Sequence, residues 1–61
     1  MKFELVIVWD TGERDVYEYG DRESAEKGAA GMRMALGNQI RWSGVRPMFG
    51  KHRETVAEFT A

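Results

Sequence analysis

Cysteine is absent from the 61 residues, and histidine and proline occur once each. Without cysteine there is no disulfide and no thiolate for a structural zinc site, and His52 alone supplies too few nitrogen ligands to replace one. No cofactor and no metal is expected. Small domains commonly reinforce themselves with disulfides, a metal or association, because a core of this size supplies only about 3–5 kcal/mol. The composition removes the first two devices and leaves association. Long apolar runs are also missing. The longest stretch of large apolar side chains, Leu5 to Trp9, has five residues, against the roughly 20 that a membrane-spanning helix requires. No basic start leads into an apolar stretch of about 7–15 residues, so neither a signal peptide nor a membrane partner is expected. A chain without cysteine suits a reducing compartment, and the cytoplasm is the expected location.

What is present belongs to a folded chain. The hydrophobic share is 43%, the charged share 31% and the aromatic share 11%, a balance that disordered chains do not have. One domain over residues 1–61 is the expectation at this length. The net charge of −1 conceals an asymmetry: residues 1–26 carry eight acids against three bases, and residues 27–61 carry six bases against two acids. A chain so divided can meet charged partners through either half or pair with itself.

Alternation over residues 2–9 predicts a strand, with Phe3, Leu5, Ile7 and Trp9 on one face and Glu4, Val6 and Val8 on the other. Asp10, Thr11, Gly12 and Glu13 then read as a turn, with Gly12 at positive φ in a bulge-type hairpin. The returning strand Arg14–Tyr19 sets Asp15, Tyr17 and Tyr19 opposite Val16 and Glu18. Asp21 is a suitable N-cap, with Glu23 and Glu26 near the positive helix end. Ala25, Gly28, Ala29, Met32, Ala35 and Leu36 recur at helical spacing and define one face. Gly28 and Gly31 each cost about 1 kcal/mol inside a helix, which points to close packing at both. Gly37 and Asn38 mark the helix stop. Residues 39–48 read as a third strand with Ile40 and Trp42 sharing a face, Arg41 and Ser43 opposite, a bulge at Gly44, and an edge or an end at Pro47. Residues 50–53 suit a turn, and 54–60 fit a fourth strand, a short helix or a loose tail. The expected fold is α+β, a small antiparallel sheet with one helix on one face, in the order ββαβ or ββαββ.

One helix covers one sheet face, yet Val6, Val8 and Val16 make the other face apolar as well. Something should cover it: the C-terminal segment, a second protomer or a target protein. Self-association through these three valines, giving a homodimer, is the preferred expectation.

Candidate chemical motifs are few. Asp10-Thr11-Gly12 after an apolar strand has the triplet of retroviral-type aspartic proteases, whose paired carboxylates share a proton. A chain of roughly 60 residues can scarcely build the second layer of strands and the flap such enzymes need. Glu13 and Arg14 also stand where that family has small residues, so hairpin chemistry is the better reading. Gly28-Ala29-Ala30-Gly31 has the spacing of a KH-type RNA clamp but falls inside a helix without a basic loop. Arg41, Arg46, Lys51 and Arg53, near Trp42 and Phe49, form a candidate nucleic-acid patch that the acidic first half opposes. Conversely, the acidic hairpin residues Asp10, Glu13, Asp15 and Glu18 form a candidate protein-binding patch for a basic surface. Trp9, Tyr17, Tyr19 and Trp42 are too many large aromatics for one small core, so one or two suit a binding rim. His52 has no recognisable nucleophile partner, and no enzyme is expected.

The run Phe3-Glu4-Leu5-Val6-Ile7-Val8 leading into an Asp-x-Gly-Glu turn, the acid- and tyrosine-rich return strand and the single helix before a strand resemble small accessory proteins of bacteriophages and prophages. The resemblance covers residues 2–48 and transfers no functional residue. It implies a non-enzymatic protein that binds and often inhibits a host protein, as anti-CRISPR and other anti-defence proteins do. A nucleic-acid-binding regulator and a small-ligand sponge at a dimer interface are the alternatives.

Overall fold

The hairpin forms where the apolar alternation places it. In the computed structural model, which describes residues 2–48 and 57–60, strand β1 (Phe3–Trp9) pairs antiparallel with β2 (Arg14–Tyr19). The Gly12 amide donates to the Trp9 carbonyl at 3.0 Å and the Trp9 amide donates to the Glu13 carbonyl at 2.9 Å. Gly12 has φ 92°, the left-handed conformation that a three-residue hairpin loop with a glycine bulge requires. Thr11 Oγ1 accepts from the Glu13 amide at 3.3 Å and closes the turn.

Helix α1 (Arg22–Leu36) starts at the expected cap. Asp21 is extended, and its Oδ1 accepts from the Ser24 amide at 2.7 Å, satisfying a donor that the first helical turn leaves without a partner. The same bond holds the Asp21 carboxyl below its ordinary value. On the outer surface, Arg22 and Glu26 pair at 3.2 Å, and Lys27 and Glu23 at 3.3 Å, each at the i, i+4 spacing. The helix ends at Leu36, but Gly37 stays right-handed at φ −57°, so the chain leaves through a 3-10 turn over Gly37–Gln39 instead of a left-handed cap.

Strand β3 (Ile40–Pro47) returns antiparallel to the other side of β1, and β4 (Ala57–Thr60) adds antiparallel to β3. The result is a four-stranded sheet in the order β2-β1-β3-β4. The α+β expectation holds in its ββαββ form. Within residues 54–60, 57–60 is strand; the expected turn at 50–53 and the rest of that segment lie outside the described residues. β4 extends the sheet edge and does not fold over the second face. Pro47 lies at the end of a central strand, beyond the last β3–β4 pair, Val45 with Ala57. There its missing N–H costs no bond to β4.

The irregularity in β3 is not at Gly44. Gly44 pairs regularly with Val6 on one side and Glu58 on the other, and the register shift falls instead opposite Val8 and Trp9. Val8 pairs with Trp42 and Trp9 with Ile40, leaving Arg41 as the extra residue. One extra residue reverses the facing of everything beyond it. Ile40 therefore enters the core while Trp42 turns to the opposite face, which corrects the expectation that the two share one.

The core lies between α1 and the sheet. Leu5, Ile7, Ala25, Ile40 and Val45 are buried there, with Phe3, Trp9, Tyr19, Ala29, Met32 and Phe59 packed around them. Small residues on α1 let the helix approach. A Cβ at Gly28 would lie 2.3 Å from Tyr19 Oη and 2.7 Å from its Cζ, so the tyrosine ring occupies the space a side chain would need. Gly31 differs from expectation: a Cβ there would meet nothing within 4 Å. Ala35 is exposed, because the inward stripe runs through Ala25, Ala29, Met32 and Leu36.

Candidate functional site

Pairing register defines the uncovered face row by row. Arg14, Val8, Trp42 and Thr60 make one row across the sheet, and Val16, Val6, Gly44 and Glu58 the next. Glu18, Glu4 and Arg46 make the third. No described element covers these rows.

Of the three valines expected to need a partner, Val6, paired with Val16 and Gly44, is only 2% exposed within the single chain. Val8 is half-buried, and Val16 on the edge strand is 50% exposed. Trp42 is half-buried on this face, and its Nε1 donates to Glu58 Oε2 at 3.1 Å, diagonally past Gly44. That bond fixes the indole in one orientation on the open surface.

The third row would set Glu4 against Glu18, a like-charged pair directly opposite, which is destabilising unless neutralised. Both are neutralised from the sides. Arg46 Nε donates to Glu4 Oε1, the two side chains being 29% and 8% exposed. Lys2 Nζ meets Glu18 Oε1 at 2.8 Å, and hydrogen bonding to that carboxylate raises the lysine pKa above its ordinary value.

The acidic hairpin residues do not form one patch. Asp10 and Glu13 stand at the turn, Asp15 on the helix side and Glu18 on the open face, because alternate strand positions face opposite ways. Asp15 Oδ2 accepts from Trp9 Nε1 at 2.7 Å. At the tip, the Asp10 amide donates to the Gln39 carbonyl at 2.7 Å, and the Asp10 carbonyl accepts from Arg41 Nη2 at 2.9 Å. The candidate basic residues are likewise separated: Arg41 binds the hairpin turn, Arg46 binds Glu4, and Lys51 and Arg53 lie outside the described residues, as does His52. The fold bridges the charge division of the sequence at one long-range ion pair, Arg46 of β3 with Glu4 of β1.

Sequence reasoning missed Trp42 as the partner of Val8 on the open face. The signal for it is the broken alternation in this strand, whose extra residue is Arg41 and not Gly44. Among the described residues no cluster of three or more potential metal ligands occurs, no cavity is enclosed, and no helix is long and apolar enough to cross a membrane.

The class is thus a small α+β fold with a single sheet, one face closed by a helix and the other bearing a mixed apolar and ion-paired surface. Family models, curated proteins and solved structures contain no match to this chain.

Proposed function

We propose that this chain is a non-catalytic protein-binding module whose recognition surface is the open face of the sheet. The observation that carries the reading is the row Arg14, Val8, Trp42, Thr60 beside Val16, uncovered by the helix and bordered by the Glu4–Arg46 and Lys2–Glu18 pairs. A held indole within an apolar strip, with charged groups at its margin, is the composition of an energetic centre with a polar rim. The likeness to phage and prophage accessory proteins supplies the partner class: a host protein whose working surface would be blocked by occupation, as anti-CRISPR and other anti-defence proteins do.

A comparison of variants tests this. Trp42→Ala should lose the protein captured from host lysate by the wild-type chain, while Met34→Lys on the outer surface of α1, 89% exposed, should retain it. Circular dichroism of each variant separates lost recognition from lost fold. Equal capture by Trp42→Ala, or no stoichiometric partner for the wild-type chain, overturns the reading. Retention on DNA or RNA with steep salt dependence would favour the nucleic-acid regulator instead. A small molecule released on denaturation would favour the ligand sponge. Of the residues that the nucleic-acid reading would use, Arg41 and Arg46 are bonded within the chain.

A further inference from the structure

We propose that two copies of this chain pair antiparallel through the outer edge of β2, about a two-fold axis at Val16, to make one continuous eight-stranded sheet from two four-stranded ones. This concerns the backbone edge of β2; it shares Arg14 and Val16 with the recognition face described above but leaves Val8 and Trp42 untouched.

β2 is an edge strand, and its outer side meets no described element. It runs for six residues, RDVYEY, without a proline, a glycine or a bulge to blunt it. Exposure is concentrated there: Val16 at 50% and Tyr17 at 37% are two of the three exposed large hydrophobics among the described residues.

The hydrogen-bond phase of the hairpin decides which groups the edge offers. The Trp9 amide bonds Glu13, and the Lys2 carbonyl accepts from Met48 on the β3 side at 3.0 Å. Odd-numbered positions of β1 therefore bond toward β2 and even-numbered ones toward β3. By the alternation of antiparallel pairs, Asp15, Tyr17 and Tyr19 bond inward, and Arg14, Val16 and Glu18 direct their amides and carbonyls outward.

That phase allows a symmetric pair only about a residue, not between residues. An axis at Val16 places Val16 against its own copy, Arg14 against Glu18 of the other chain at both ends, and Asp15 against Tyr17. Every charged residue of the strand meets an opposite charge or a hydroxyl. The neighbouring registers are worse: an axis at Asp15 sets two aspartates together, axes at Arg14 and Glu18 set like charges together, and an axis at Tyr17 sets Val16 against Glu18. Like charges directly opposite destabilise a pair, whereas opposite charges and apolar pairs stabilise it. The strand is thus complementary to itself in one register. In that register the middle row reads Val6, Val16, Val16, Val6 across the junction, so each Val16 packs laterally against its copy, and the two faces opposite the helices lie on one side.

The test exploits the reciprocal charges. By sedimentation, the wild-type chain should run at twice its 7.0 kDa mass. R14E and E18R, each placing like charges together twice per dimer, should weaken self-association by about tenfold or more. An equimolar mixture of the two variants should recover the dimer, because each then carries the charges the other lacks; the doubly exchanged R14E/E18R chain should dimerise alone. Circular dichroism confirms that each variant is folded. A monomeric wild-type chain, variants that dimerise as well as wild type, or a mixture that restores nothing would each overturn the proposal. Trp42→Ala should leave the oligomeric state unchanged, so failure here and failure of the recognition face are read separately.

Discussion

The two faces of the sheet are built from alternate residues of the same four strands, yet they are stabilised differently. Toward the helix, Leu5, Ile7, Ile40 and Val45 are fully enclosed, and Ser43 is the one buried polar residue among them. Away from it, Val6 and Val8 share the surface with Glu4, Glu18, Arg46 and Lys2, charges that are matched within the chain. The first face is closed by transfer of apolar area from water. The second is held by pairing across strands, and no described element lies over it. A small sheet can in this way keep one face for folding and the other for contact.

The largest test of that contrast is core truncation. Leu5→Ala should cost about 2–5 kcal/mol, comparable to the whole stability of about 3–5 kcal/mol available to a domain of this size, and thermal melting should show a largely unfolded chain. Thr60→Ala, exposed on the face opposite the helix, should stay within about 0.5 kcal/mol.

The ion pair on the open face comes next. Arg46→Met leaves Glu4, 8% exposed, without that donor, and should destabilise by about 1–3 kcal/mol in urea titration. Adding Glu4→Gln should recover part of the loss; a strictly additive double variant would show that the pair contributes nothing.

The glycines of α1 should respond with opposite signs. Gly28→Ala forces the Tyr19 ring aside and should destabilise by about 1 kcal/mol net of its gain in helix propensity. Gly31→Ala meets open space and should stabilise by up to about 1 kcal/mol, so the pair of melting curves should bracket the wild type.

The smallest effect is a pH dependence. The Asp21 carboxyl lies below its ordinary value of 3.8, so its contribution is full above that pH and is lost as pH falls through the lower folded value. Lys2 has the reverse sign. Its raised pKa makes its contribution full below 10.5 and lost as pH rises through the higher folded value. Asp21→Asn should flatten the acid limb of a stability–pH curve and leave the alkaline limb unchanged.

Much of the fold is legible in local pattern. The alternation Phe3-Leu5-Ile7 marks β1, Gly12 marks the hairpin, and Asp21 followed by Ser24 marks the helix start, because each reports a conformational preference settled within a few residues. The site is less legible. Val6, Val8 and Val16 are correctly assigned to the face opposite the helix, with Val6 nearly buried there, and Trp42 is displaced by one position. Asp15 and Glu18 are close in sequence and on opposite faces, so a patch drawn from sequence proximity does not survive. Lys51 and Arg53 fall outside the described residues.

By itself, the sequence determined strands β1 to β3, the hairpin turn, the helix and its cap, since periodicity and capping act over one or two turns of chain. Tertiary structure alone decided three things. Arg41 became the extra residue in β3, which sends Ile40 inward and Trp42 outward. β4 joined the edge beside β3 instead of crossing the open face. β3 lay against β1, so that Arg46 met Glu4 and Arg41 met the Asp10 carbonyl across the chain. β1 and β3 meet across about 30 residues or more, as Asp10 and Arg41 do, and β4 meets β3 across the shorter span from Val45–Ala57 to Trp42–Thr60; in both cases no local pattern records which partner a strand will find.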